Sequence, residues 1–169
     1  VRKSYGRFVA LKGIDLDVQS GVVYGFLGPN GAGKTTFIKI LLGLSIPDDG
    51  EVEIFGKDLF LERNEILRTV GAVVEAPAFF EYLSAYENLY NLSRLSGVIS
   101  KERIEETLKT VGLDDVAGKK VGAFSYGMKQ RLGIANALLP DNRLIFLDEP
   151  TNGLDPHGIV GVRELIKRL

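Results

Sequence analysis

The sequence contains no cysteine and only one histidine, His157. Without cysteine the chain can form neither a disulfide bond nor a cysteine-based metal site, and this composition is compatible with the cytosol. No stretch approaches about 18 consecutive apolar residues, so we predict that this sequence does not cross a membrane. The net charge is −1, from 21 basic and 22 acidic residues, so we expect no nucleic acid as a partner.

The overall amino-acid composition is that of an ordinary globular protein. The 169 residues are 45% hydrophobic and 25% charged, which suits one domain with a core and a smaller subdomain. The sequence starts at Val1 without methionine and stops at Leu169 inside a helical pattern. We therefore interpret it as part of a larger domain and expect some parts of that domain to be missing.

Residues 28–36 read GPNGAGKTT and match the phosphate-binding P-loop pattern, G-x-x-x-x-G-K-[ST]. The preceding segment, 22–27, is predicted to be a buried strand, and the following segment, 37–42, a helix. This strand–loop–helix context favours the P-loop over the alternative, a chance match in a glycine-rich turn. The predicted nucleotide-binding residues of the loop are Gly28, Asn30, Gly31, Ala32, Gly33, Lys34, Thr35 and Thr36.

The residue types of this loop suit a triphosphate. Gly31 and Gly33 allow the backbone to curl so that its N–H groups point at phosphate oxygens, and the start of the next helix adds partial positive charge. Lys34 supplies a full positive charge for the β- and γ-phosphates and is predicted to be catalytic. The Thr35 hydroxyl is a candidate Mg²⁺ ligand, because Mg²⁺ prefers hard oxygen donors.

Apolar runs between turn signals predict strands at residues 8–11, 14–18, 22–27, 51–55, 71–74 and 143–147. Helices are predicted at residues 35–42, 59–69, 84–95, 101–111, 128–139 and 158–169. Ser84 with Glu87 forms a capping-box pattern, and Ser100 is a predicted helix cap. Together these elements predict an α/β fold in which residues from about 77 to 120 form an all-helical insertion.

The apolar run 144–147 ends in two carboxylates, Asp148 and Glu149. Ligands of open α/β sheets bind at the carboxyl ends of strands, so we expect both side chains to emerge where the P-loop also lies. Asp148 is the predicted Mg²⁺ ligand, the Walker B role, and Glu149 the predicted general base for water. The alternative is a pair of acidic residues that merely follow a strand.

Three further motifs carry a family resemblance. Residues 123–131, AFSYGMKQR, resemble the signature motif of the ATP-binding cassette (ABC) ATPases, and residues 152–155, NGLD, resemble the D-loop of that family, which includes Asp155. Tyr5 matches the aromatic residue that stacks on adenine; a simple surface aromatic is the alternative. With the P-loop and Walker B in the same order, the resemblance covers essentially the whole chain.

The resemblance implies a P-loop ATPase of ABC type. Its fold has a mostly parallel core sheet, an N-terminal antiparallel β-subdomain, an inserted helical subdomain and, here, a C-terminal truncation. The implied divisions are a first part of the core at 1–76, a helical subdomain at 77–135 and a second part of the core at 136–169. The family's switch histidine would lie beyond Leu169, so His157 is predicted to be a surface residue, and this chain alone to hydrolyse ATP poorly.

The resemblance also implies ATP and Mg²⁺ as cofactors and a head-to-tail dimer. Ser125 and Gly127 would face the γ-phosphate of a nucleotide bound to a second ATP-binding subunit; the plain alternative for Ser125 is a helix cap. Tyr126 stands where the family usually has glycine, so this turn carries a bulky side chain at that position. The other implied partner is an integral membrane transporter subunit, bound on the cytoplasmic face of the membrane near residues 77–95.

Glu75 occupies the Q-loop position, where most of the family has glutamine. It is a candidate ligand for Mg²⁺ or water, with a tolerated loop variant as the alternative. Together with residues 85–89, AYENL, it is similar to exporters that confer resistance to lantibiotics and bacitracin-like peptides. The predicted function is thus the ATPase of an ABC exporter. The alternative is a soluble ABC ATPase acting on ribosomes or DNA; a small-molecule P-loop kinase would need neither signature motif nor D-loop.

Overall fold

The computed structural model describes residues 1–75, 77–97, 99–140 and 142–169. This part of the chain forms two compact units, Val1–Leu67 and Arg68–Leu169. Ala76, at the first predicted domain boundary, lies outside the described residues, and the boundaries at 76/77 and 135/136 remain predictions.

The first unit contains two antiparallel strand pairs and two helices. The first pair is antiparallel, as expected for an N-terminal β-subdomain, but its strand Arg2–Tyr5 was not predicted; the register is irregular between Lys3 and Ser4. Helix α1 (Lys34–Leu41) packs on strand β2 (Phe8–Lys12) through its buried face, which includes Phe37 and Ile40. The elements in chain order are β1 (Arg2–Tyr5), β2 (Phe8–Lys12), α1 (Lys34–Leu41), β3 (Glu53–Ile54), β4 (Lys57–Asp58) and α2 (Arg63–Leu67).

Two predicted strands of this unit are not formed. Residues 14–18 and 22–27 are in neither strand nor helix. Val23 and Leu27 are 73% and 90% exposed, so no segment among the described residues covers them. A strand forms only where a neighbour completes its hydrogen-bond ladder, and the described residues of this unit supply no such partner. The apolar character of these segments therefore led to a wrong strand prediction.

The helix predicted at 59–69 is shorter than expected. The Asp58 carboxylate accepts hydrogen bonds from the backbone N–H groups of Phe60 and Leu61, at 2.8 and 2.9 Å. An aspartate that bonds to its own backbone two residues on stabilises a turn, which delays the start of the helix to Arg63.

The second unit is built on a parallel strand pair. Strand β5 (Val70–Val73) pairs with β6 (Leu144–Leu147) in a register that runs from Val70 opposite Leu144 to Val73 opposite Leu147. This pair is the part of the predicted parallel core sheet seen in the described residues. The helices are α3 (Ala85–Ser96), α4 (Lys101–Thr110), α5 (Tyr126–Leu138) and α6 (Pro156–Arg168), with 3₁₀ turns at Asp114–Val116 and Val121–Ala123.

Local capping explains where two of these helices begin. The Ser84 hydroxyl accepts from the N–H of Glu87 at 3.1 Å, and the Glu87 carboxylate accepts from the N–H of Ser84 at 2.8 Å, which completes the predicted capping box. These hydrogen bonds, above all the one from the Ser84 backbone, hold the pKa of Glu87 below its ordinary value. Ser100 caps α4 as predicted, accepting from the N–H of Arg103 at 3.2 Å.

Helix α5 lies in the core of the second unit. Gly133 lets it approach Pro77, because a Cβ atom at this position would lie 3.0 Å from the proline ring. Its buried Leu132, Ile134 and Ala135 join a hydrophobic cluster with α3, α4 and α6. Burial of such side chains is the main stabilising contribution of a packed helix. None of the helices in the described residues combines the length and the hydropathy of a membrane-crossing segment.

Candidate nucleotide-binding site

The predicted P-loop connects directly to the start of α1. Gly31 and Gly33 have φ angles of 79° and 87°, the left-handed conformation that glycine adopts without steric cost. Gly33 precedes the first helical residue, Lys34, and its carbonyl accepts the first helical hydrogen bond from Phe37 at 2.8 Å. The loop is thus followed by a helix N-terminus, where backbone N–H groups and partial positive charge favour an anion.

The two glycines are required for different reasons. A Cβ on Gly33 would lie 2.5 Å from the carbonyl oxygen of Ala10 and 2.6 Å from Cδ2 of Leu11, so the loop packs directly on β2. A Cβ on Gly31 would meet nothing within 4 Å, so this side of the loop is open. Gly33 therefore allows the loop to pack closely on β2, whereas Gly31 leaves the space beside the loop backbone unfilled.

Lys34 folds back over the loop. Its Nζ donates to the carbonyl oxygens of Gly28 and Pro29, at 3.0 and 3.1 Å, and the N–H of Ala32 donates to the Pro29 carbonyl at 3.1 Å. The ammonium group is therefore held by the loop whose backbone would surround a phosphate. A positive charge fixed in this way attracts an anionic ligand to the loop.

The remaining predicted residues of the first unit lie on regular elements. Thr35 and Thr36 are half-buried in the first turn of α1. Tyr5 ends β1 and is 51% exposed, with its hydroxyl 3.4 Å from Oγ of Ser45 and the Lys3 ammonium 5.5 Å from the ring centroid. An exposed ring of this kind can stack on a planar base.

The predicted acidic residues lie at one edge of the parallel pair. The N–H of Asp148 donates to the Val73 carbonyl at 2.8 Å, so the pairing continues one residue beyond β6. Glu75 follows β5 by two residues and Glu149 follows β6 by two residues. Because paired parallel strands end at the same edge, Glu75, Asp148 and Glu149 all follow the carboxyl ends of β5 and β6. Among the described residues, no group of three or more histidine, cysteine, aspartate or glutamate side chains lies close enough to hold a metal ion. The Asp148 side chain is buried, and that of Glu149 is exposed.

Both glutamates at this edge have a strained backbone. Their φ angles are 63° for Glu75 and 45° for Glu149, and Phe55 is the one other non-glycine residue with positive φ in the described part of the chain. The left-handed conformation costs a residue with a Cβ roughly 1–2 kcal/mol. Such strain clusters at functional sites, where the surrounding structure holds it in place. The sequence contained no signal for it.

Asn152 contacts Glu149 and was not among the predicted site residues. Its N–H donates to the Glu149 carbonyl at 2.9 Å, and its side-chain Nδ2 donates to Glu149 Oε2 at 3.2 Å. The sequence signal for this contact was Pro150. Proline at the second position of a four-residue segment favours a β-turn, and a β-turn brings the first and fourth residues close together.

The signature segment and the D-loop segment are in contact within this chain. Ser125 caps α5, accepting from the N–H of Met128 at 3.3 Å, as predicted for its plain alternative role. A Cβ on Gly153 would lie 3.2 Å from the Tyr126 ring, and one on Gly127 would lie 3.4 Å from Cδ2 of Leu154. The two motifs therefore form one surface, which their separation in sequence did not indicate.

The D-loop leads into the last helix. The Asp155 carboxylate accepts from the N–H of Gly158 at 2.6 Å and so caps α6. His157 is exposed in the first turn of α6, which confirms that it is a surface residue.

An aromatic loop precedes α3 and is firmly held. The side chain of buried Asn88 accepts from the N–H of Phe80 at 2.9 Å and donates to the carbonyls of Phe80 and Ser84 at 3.0 and 2.9 Å. Lys129 of α5 pairs with Glu81 at 2.7 Å, and this hydrogen bond holds the pKa of Glu81 below its ordinary value. Phe80 and Tyr82 are 49% and 69% exposed, so an ordered loop presents aromatic rings to solvent.

Comparisons with known proteins agree with these features. The bacitracin transport ATP-binding protein BcrA of Bacillus licheniformis is 51% identical over 167 residues, which cover 99% of this chain and 55% of that protein. The lantibiotic transport ATP-binding protein SrtF of Streptococcus pyogenes is 42% identical over 167 residues, which cover 99% of this chain and 71% of that protein. The chain thus spans about half the length of the BcrA relatives.

A solved structure supports the same fold. The dimeric post-hydrolysis structure of the ATP-binding cassette MJ0796, bound to ADP and Pi, has a TM-score of 0.83 and 30% sequence identity, and the match covers 99% of this chain and 78% of that chain. This confirms the predicted fold class. A family model described as ABC transporter matches residues 11–152. The chain therefore belongs to the ABC transporter family of ATP-binding proteins.

Proposed function

We propose that this chain is the ATP-binding and ATP-hydrolysing part of an ABC exporter for bacitracin-like or lantibiotic peptides. The observation that carries the proposal is the P-loop: two left-handed glycines, a helix N-terminus and the Lys34 ammonium held over the loop carbonyls. Relatives at 42–51% identity are named as bacitracin and lantibiotic transport ATP-binding proteins.

In this proposal the loop binds the triphosphate. The backbone N–H groups around Gly31 and Gly33 and the Lys34 ammonium bind phosphate oxygens, and the Tyr5 ring stacks on adenine. Thr35, Asp148 and Glu75 carry hydroxyl and carboxylate oxygens, the hard donors that suit Mg²⁺. When bound, Mg²⁺ would neutralise charge on the phosphates.

Glu149 is the proposed general base. It is exposed at the carboxyl edge of the parallel pair, so its carboxylate is accessible to a water molecule. In this role it accepts a proton from water as the water attacks the γ-phosphate. Asp148 is buried beside it, which suits a fixed ligand better than a base that must reach water.

A second copy of the chain completes the proposed site. Ser125 and Gly127 lie at the start of α5, a helix of 13 residues whose N-terminal N–H groups favour an anion. They would contact the γ-phosphate of the nucleotide bound to the partner copy. The similarity to a dimeric ATP-binding cassette supports this arrangement. Because hydrolysis in this proposal needs both copies, we expect weak turnover from the 169-residue chain as a monomer.

The other proposed partner is an integral membrane subunit on the cytoplasmic face of the membrane. Phe80 and Tyr82 offer it an ordered aromatic surface, with Asn88 and the Glu81–Lys129 pair fixing the loop. Exposed aromatic residues on a rigid support are typical anchors of protein interfaces. The transport names of the relatives favour this partner over ribosomes or DNA.

The proposal is tested with the complete gene product, expressed together with a candidate membrane transporter subunit. We expect ATPase activity in the purified complex and increased bacitracin resistance of the host, both lost in Lys34→Ala and Glu149→Gln. Purification with ribosomes instead of a membrane protein would support the alternative function. An active complex that tolerates both substitutions would refute the assigned chemistry.

A further inference from the structure

The segment from Glu149 to Asp155 is built as two consecutive turns. The N–H of Asn152 donates to the Glu149 carbonyl at 2.9 Å, with Pro150 in the second position of this turn. The N–H of Leu154 then donates to the Thr151 carbonyl at 3.3 Å. The first turn returns the chain to Glu149 and so places the Asn152 side chain beside the Glu149 carboxylate.

The Asn152 side chain contacts the proposed general base directly. Its Nδ2 donates to Glu149 Oε2 at 3.2 Å, while both side chains remain exposed. Glu149 has a left-handed φ of 45°, so its direction is set by the turn and not by a relaxed strand. The amide donor restricts the exposed carboxylate to rotamers that keep this hydrogen bond.

The far end of the double turn is fixed as well. Gly153 has a φ of 73° and lies against the Tyr126 ring, where an added Cβ would be 3.2 Å from Cε1. Asp155 caps α6 through the N–H of Gly158 at 2.6 Å. Asn152 is therefore held between two anchored points, which lets it act as a support for Glu149.

We infer that Asn152 is a positioning residue that holds the Glu149 carboxylate in the direction from which it accepts the proton of the attacking water. This inference rests on the proposed function, because it assigns Asn152 a role only through Glu149. Asn152 does not itself contact the nucleotide in this role. Its removal should slow the chemical step and leave nucleotide binding intact.

The experiment compares variants of the complete gene product by ATPase kinetics. Asn152→Ala removes the donor, and Asn152→Asp keeps the size of the side chain but replaces the donor by an acceptor. We expect both to lower kcat about ten-fold, the loss expected for one hydrogen bond to a charged group, with KM for ATP nearly unchanged. Asn152→Ser retains a donor and should recover part of kcat. Asn64→Ala, an exposed asparagine change on α2, serves as the matched control.

A double substitution separates positioning from a merely structural role. In the Glu149→Gln background, Asn152→Ala should not lower the residual single-turnover rate further, because the group it positions is already gone. An additive loss, or equal losses in kcat and ATP affinity, would overturn the inference. A wild type that hydrolyses ATP while Asn152→Ala keeps its full kcat would overturn the inference alone. A wild type that neither binds nor hydrolyses ATP would overturn the proposed function as well.

Discussion

Alanine in place of either P-loop glycine should destabilise the protein, and by more at Gly33, which packs on β2, than at Gly31, which does not. Both residues have φ between 79° and 87°, so either alanine carries backbone strain of about 1–2 kcal/mol. At Gly33 the new methyl group would also lie 2.5 Å from the Ala10 carbonyl and 2.6 Å from Leu11 Cδ2. Relief of such overpacking costs about 1–3 kcal/mol more, because a backbone atom and a buried side chain must move.

The expected loss in the free energy of unfolding is therefore about 2–5 kcal/mol for Gly33→Ala and about 1–2 kcal/mol for Gly31→Ala. Urea denaturation of the complete gene product, followed by circular dichroism, measures both. The Gly31 variant is the matched control because its methyl group meets no atom within 4 Å. Equal losses for the two variants would refute the argument that Gly33 packs on β2.

Three further predictions concern other residues. Tyr5→Phe should leave ATP affinity nearly unchanged and Tyr5→Ala should weaken it, as measured with a fluorescent nucleotide; equal affinities would rule out stacking. Glu75→Ala should lower both ATPase activity and transport in the complete complex; if neither changes, Glu75 is a tolerated loop variant. Hydrogen bonds lower the pKa of Glu87, so its stabilising contribution is present above the ordinary glutamate pKa and is lost as pH falls through the lowered value. Wild type should thus lose more stability in acid, from about pH 5 downward, than Glu87→Gln, as compared by urea denaturation; parallel losses would contradict this.

Helix starts were predicted well because their signals are local. Ser84 and Ser100 each satisfy N–H groups within three residues, so a short stretch of sequence contains both donor and acceptor. The segment 22–27 failed because a strand depends on a partner far away in sequence, which apolar composition alone does not guarantee. The turn at Asp58 was overlooked, although aspartate commonly bonds to its own backbone in this way.

For the site, the sequence predicted residue types better than contacts. The motif spacing predicted Lys34, Asp148 and Glu149 as site residues, because phosphate binding and water activation need specific chemical groups in order. The contacts of Asn152 with Glu149 and of Tyr126 with Gly153 depend on turn geometry and on two helices that meet. Neither contact depends on a repeating pattern, and only the turn at Pro150 left a signal in the sequence.

The strain at the acidic edge gives a reason to regard Glu75 and Glu149 as functional and not merely tolerated. Glycine would adopt their φ angles of 63° and 45° without the steric cost that a Cβ brings. Compared with glycine, a glutamate at such a position adds a carboxylate but does not make the backbone conformation more favourable. Both glutamates lie at the carboxyl edge of one parallel pair, next to buried Asp148. Two strained residues therefore add negative charge at this edge. Carboxylates repel one another in the absence of a cation. We therefore propose that the Mg²⁺ ion of the proposed function binds at this edge and offsets this negative charge.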